Sequence, residues 1–157
     1  MERVGFGPRF LAALIDGVSL LIVLSILGAI FGMSATVAFG GNTGGFSILA
    51  IILSLIPLGY STTEIFQAAT PGKQLMKLKI KNEDGTDADE NVLKKRWAIK
   101  WSGFLISMIG TITTLSIFSV LGTLVGLIVF LGTFLVLTEG FQTLADKLAK
   151  TAVYKIG

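Results

Sequence analysis

Hydrophobic residues in this chain gather into long runs, and charged residues are confined to the gaps between them. The first run extends from Phe10 to Met33 and contains one ionisable residue, Asp16. The second runs from about Phe46 to Phe66, close to the roughly 20 residues that an α-helix needs to cross a bilayer. From Trp101 to Thr138 no charge appears. A single helix of that length would far exceed a hydrocarbon core of about 30 Å. The pattern therefore predicts two spans there, about Ile99–Leu115 and Phe118–Thr138, with the reversal near Thr113–Ser119. In all, it predicts an all-α transmembrane protein, a bundle of four membrane-spanning helices (about 10–33, 46–66, 99–115 and 118–138) in one domain over residues 1–157.

The gaps differ from one another. Ser34–Gly45 is Gly-rich and uncharged, whereas about 70–98 is polar and basic. Within the basic stretch, Met76, Leu78 and Ile80 alternate with Lys77, Lys79 and Lys81, the period of two of a half-buried strand or extended segment. Asp84-Gly85 is a turn signal, and Asp87 with Glu90 three residues on resembles a helix N-terminal box. Val92–Lys100 then combines snorkelling cations with interfacial tryptophans. After Glu139, the stretch Leu144–Lys150 could form an interfacial amphipathic helix, from which Asp146 would reach Arg9 only by folding back. Gly28-x-x-x-Gly32 and Gly122-x-x-x-Gly126 are spacings that let helices approach closely, more readily within the chain than between copies.

Composition agrees with a membrane protein: 52% of residues are hydrophobic and 15% charged. All 13 Lys and Arg fall in the N-terminal segment, the central polar region or the tail after Glu139. By the positive-inside rule, both termini and the central loop are cytoplasmic. The chain has no Cys and no His, which removes disulfides, thiol catalysis and the commonest base and metal ligand. No metal or cofactor is expected, and no nucleic-acid partner. Neither Gly-x-Ser-x-Gly nor Gly-x-Gly-Asp occurs, so an enzyme is not expected either. Thr70-Pro71-Gly72-Lys73 lacks the spacing of a phosphate loop.

This topology gathers the membrane-embedded acids at one depth. Asp16 lies seven residues after Arg9, on nearly the same helix face and roughly 10 Å deeper. A charge at that depth costs about 2.5–3.5 kcal/mol on insertion scales, so it must face the bundle, pair or touch water. The ligand- or ion-binding candidates are Asp16, Arg9, Asp146, Glu64 and Glu139, with Asp16 foremost as the deepest. Arg9 can neutralise either Asp16 or Asp146, which would tie helix ends together; left free, an acid could bind a proton or small cation. Lys94, Lys95, Arg96 and Lys100 are candidates for anionic lipid headgroups.

The chain also resembles the RDD family of bacterial membrane proteins, named for one arginine and two aspartates. The resemblance rests on Arg9–Asp16 at the first span, Thr70–Lys73 followed by Leu78-Lys79-Ile80 and Asp84-Gly85, Arg96 before the third span, and Leu144–Val153. Arg9, Asp16 and Asp146 fall on the name-giving positions. Ala145 stands where relatives often carry His, which leaves no histidine relay at that point. The resemblance implies a multi-pass protein of the bacterial inner membrane, for which transport of unidentified ligands has been suggested. Two functions follow as expectations. One is a transporter or cation/proton-exchange component built on intramembrane carboxylates; four spans make a small bundle, so a pore implies a homo-oligomer or another membrane protein. The other is a non-transporting accessory or regulatory module that binds a partner protein through its basic cytoplasmic loop.

Overall fold

The computed structural model describes residues 2–30 and 48–156, the side chains of 48–52 excepted. The Ser34–Gly45 loop, the end of the first apolar run and the start of the second lie outside the described residues. Helix α1 covers Phe6–Ile30, and Pro8 sits in its first turn, where a missing N–H costs no hydrogen bond. Helix α2 is Ile48–Ser61 with Pro57 inside it, followed by two short helices, α3 (Thr63–Gln67) and α4 (Pro71–Leu75). Strand β1 is Leu78–Asn82. Helix α5 runs from Glu90 to Thr113 and α6 from Ser116 to Thr133, extended by a 3-10 turn at Phe134–Leu137. The chain closes with helix α7, Leu144–Ala149, and strand β2, Thr151–Lys155.

The protein is thus mostly helical. Two of its helical segments, Phe6–Ile30 and Ser116–Leu137, are long and apolar enough to cross a membrane. Helix α5 begins well before the expected span, and its first half carries Lys94, Lys95, Arg96 and Lys100. The expected reversal is found: Thr114 takes the left-handed conformation at φ 59° and ends α5, and α6 starts two residues later.

Helices α5 and α6 form an antiparallel hairpin whose contact line is made of small residues. A Cβ on Gly103 would lie 2.4 Å from the Gly126 Cα, and one on Gly122 would lie 2.4 Å from the Ser107 backbone N. Gly110 faces Ser119 in the same way, at 2.5 Å. The backbones touch because no side chain stands between them, which is how helices pack where burial from water no longer drives association. The Gly122/Gly126 spacing therefore serves packing within the chain.

At the opposite end of the helices sits a small mixed layer. Strands β1 and β2 pair antiparallel from Leu78↔Lys155 to Asn82↔Thr151. The alternation read in the sequence turns Leu78 and Ile80 into the core with Val153, Val4, Ala12, Ala68 and Leu93. The N-terminal residues join this ribbon: Val4 N–H donates to the Val153 carbonyl at 2.9 Å, and Arg3 bridges Tyr154. Strand β2 had no expectation in the sequence. The Leu144–Lys150 stretch is helical over Leu144–Ala149 and folds back against α5 and α6, with Ala145, Asp146 and Ala149 buried. The α5 cap is Asp89, which accepts the Val92 N–H; Asp87 instead pairs with Lys79 and Lys81 beside β1.

Candidate functional site

Three short helices, α3, α4 and α7, bring the site together. Thr70 caps α4 through its hydroxyl, Pro71 sets the first helical φ, and Gly72 follows. Gly72 is required by contact: a Cβ there would lie 2.3 Å from the Ala12 carbonyl oxygen and 2.7 Å from an Asp16 carboxylate oxygen. Helix α4 is thereby pressed onto α1 at Asp16.

Asp16 Oδ1 accepts hydrogen bonds from the Gly72 backbone N–H and the Tyr60 hydroxyl, both at 2.6 Å, and Oδ2 accepts one from the Thr70 hydroxyl. All three donors are uncharged. Among the described residues Asp16 forms no ion pair, so Arg9 does not neutralise it. Its partners come from α2 and from the Thr70–Lys73 turn.

Arg9 pairs with Asp146 instead, Nη1 to Oδ2 at 2.7 Å, while donating to the Phe141 and Val4 carbonyls. The other oxygen of Asp146 accepts from Arg96 Nε, also at 2.7 Å. Asp146 further closes a capping box with Thr143, taking the Thr143 N–H at 3.1 Å. Arg96 continues the chain of charges, Nη1 to Glu64 Oε2 at 2.9 Å. Lys73 and Lys100 meet the other Glu64 oxygen, Lys100 at 3.3 Å. Arg96 is therefore the hub, one guanidinium bridging two buried carboxylates from α3 and α7. A lysine cannot replace that planar fork.

Burial and charge oppose each other here. Desolvation alone would raise the Asp146 carboxyl, but the Arg96 and Arg9 guanidiniums outweigh it and hold it well below the usual carboxylate range. Burial would lower the Arg96 pKa, and Asp146 and Glu64 more than reverse this. Lys73 behaves differently. Burial pushes it down, Glu64 only partly restores it, and Arg96 and Lys100 add repulsion, leaving it at about 8.

Four of the five acid and arginine candidates thus sit at this end: Arg9, Glu64 and Asp146 in the ion network, and Asp16 of α1 against the start of α4. Glu139 is exposed and, among the described residues, outside the network. Lys94 and Lys95 face outward, Lys94 pairing with Glu90. Arg96 is 5% exposed with both carboxylates on it, which removes it from the set open to lipid headgroups. The sequence reading missed its bridging role, and Lys73, Tyr60 and Thr70 as partners of the acids. One signal was available: the chain has three arginines, and each becomes a multi-donor bridge between distant segments.

The chain matches the model of the RDD family over residues 3–150. That stretch includes Arg9, Asp16, the Thr70–Lys73 turn, Arg96 and Asp146. No curated protein and no solved structure matches.

Proposed function

Because the chain belongs to the RDD family, we propose that it is a small transporter or exchange component of the bacterial inner membrane, with Asp16 as its proton- or cation-exchanging carboxylate. One observation carries this reading. Glu64 and Asp146 are each ion-paired to at least two cations, whereas Asp16, two turns inside an apolar helix, is held among the described residues by neutral donors alone. An intramembrane acid left without a counter-ion is the group that can take up a proton or cation and release it. In this reading four helices cross the bilayer, α1, α2, α5 and α6, with both termini and the ion network on the cytoplasmic side. That orientation follows the distribution of Lys and Arg.

The test is flux in proteoliposomes, followed with an entrapped pH-sensitive dye on addition of Na⁺ or K⁺. Asp16→Asn keeps an oxygen for the Gly72 N–H and removes the charge. Cation-driven proton movement in the native protein that is lost in Asp16→Asn is the expected result. No flux above empty vesicles, or equal flux in the variant, would overturn the proposal.

The second reading is a membrane-anchored module that transports nothing and docks a partner protein. The outward-facing Lys94 and Lys95 on the first turns of α5 favour it. Crosslinking from position 94 in cells would then recover one defined protein, and its absence would count against this reading.

A further inference from the structure

Beside the ion network lies a cavity of about 500 Å³ that no part of the proposed exchange reaction uses. Phe10 and Ala13 of α1 form one wall, and Phe130 and Phe134 at the end of α6 form the other. These side chains belong to the two segments that, among the described residues, are long and apolar enough to cross a membrane. At its base stand Arg9, Lys73, Arg96 and Lys100, and no Asp or Glu is among the lining residues. The cavity is therefore apolar along its sides and cationic at one end.

The charge balance of the base is uneven. Four cations share two carboxylates, Glu64 and Asp146. Lys73 and Lys100 both rest on one Glu64 oxygen, so each ammonium keeps N–H donors to spare. Arg9 and Arg96 are committed to Asp146 and Glu64, and they supply field rather than free donors.

We infer that this cavity binds one anionic phospholipid from the surrounding bilayer, its phosphate on Lys73 and Lys100 and an acyl chain between the phenylalanines of α1 and α6. Charge complementarity selects the headgroup, and the apolar walls select a chain that a free anion lacks. Asp16 is not among the residues that line this cavity, although the Thr70–Lys73 turn that holds Asp16 also carries Lys73.

The test uses the full-length protein in detergent, titrated with dioleoyl-phosphatidylglycerol, dioleoyl-phosphatidylcholine or inorganic phosphate and read by native mass spectrometry. Phosphatidylglycerol should be retained in preference to phosphatidylcholine, with inorganic phosphate not retained. A cation near a headgroup contributes about fivefold in affinity, so Lys100→Gln should weaken phosphatidylglycerol by about that factor. Ala13→Trp, which fills the apolar wall from an exposed position, should abolish retention. Unchanged circular dichroism and tryptophan fluorescence in Lys100→Gln keep that variant informative if Ala13→Trp fails to fold. Equal retention of the two lipids, indifference to Lys100→Gln, or retention of inorganic phosphate without lipid would each overturn the proposal. Lipid retention is read without any flux, so failure of this site is distinguishable from failure of the exchange reading.

Discussion

Helix α5 is held in two different ways along its length. Near Arg96 it is fixed by charge, one guanidinium between two carboxylates contributed by α3 and α7. From Gly103 to Gly110 it is fixed by the absence of side chains, where its backbone rests on that of α6. The charged end is directional and has few substitutes, because removing one partner strands another charge. The glycine seam depends on shape, and only a change of volume disturbs it. The comparison teaches that each device suits its surroundings: ion pairs where elements of different type converge, close contact where two apolar helices run side by side.

Breaking the charged end should have the largest effect. Arg96→Leu leaves Glu64 and Asp146 without their shared cation, a change expected to cost about 3–5 kcal/mol. Thermal unfolding in detergent, followed by tryptophan fluorescence, reads it directly. Arg96→Lys should recover only part of the loss, since one ammonium does not span both carboxylates in the fork geometry. Full recovery would show that charge alone, rather than the bridge, holds the network.

The seam is broken by size. Gly122→Leu drives a side chain into Ser107 and should cost about 1–3 kcal/mol in the same assay. Gly126→Ala is its control: a Cβ there meets only the Gly103 Cα, at 3.8 Å, an ordinary contact. That variant should be neutral or gain up to about 1 kcal/mol from helix propensity. Equal losses in both would mean that the seam is not a contact line.

Acid separates the two devices without mutation. The folded Asp146 carboxyl titrates well below its unfolded value of 3.8, so it contributes stability above that pH. The unfolded chain binds the extra proton first, and the contribution is lost progressively as pH falls below about 4. Asp146→Asn should be less stable at neutral pH but show a shallower decline on acidification, while Gly122→Leu should keep the native pH profile. The smallest effect is expected at the rim: Lys94→Ala removes an exposed pair with Glu90 and should change stability by about 0.5 kcal/mol or less.

Much of this architecture was legible in the sequence, and the reasons for the gaps are physical. Unbroken apolar runs announced α1 and α6, and the length of the uncharged stretch required the reversal found at Thr114. The alternation of Leu78 and Ile80 with lysines announced β1. Strand β2 was hidden because it is five residues long, follows a helix directly, and takes its partner from some 70 residues earlier. Asp16 was recognised as an acid that must meet something. Its actual partners were not readable, because neutral donors at Tyr60, Thr70 and Gly72 carry no charge to pair by eye. Arg96 was concealed among lysines that do face outward, and only its residue type set it apart.

The ribbon of β1 and β2 has a consequence for the order of events during synthesis. A ribosome releases the chain from its N-terminal end. Arg3, Arg9 and Arg96 all emerge before their partners at Asp146 and Tyr154, which are 137 residues distant in the case of Arg9 and Asp146. Until then Glu64 has lysines but its bridging arginine lacks the second acid, and β1 has an open edge. The ion network and the ribbon therefore stay incomplete until the stretch from Asp146 to Lys155 arrives, whereas the α5–α6 seam needs nothing from it. That stretch acts as the closing clasp, so quality control by a protease or chaperone would have one late event to read.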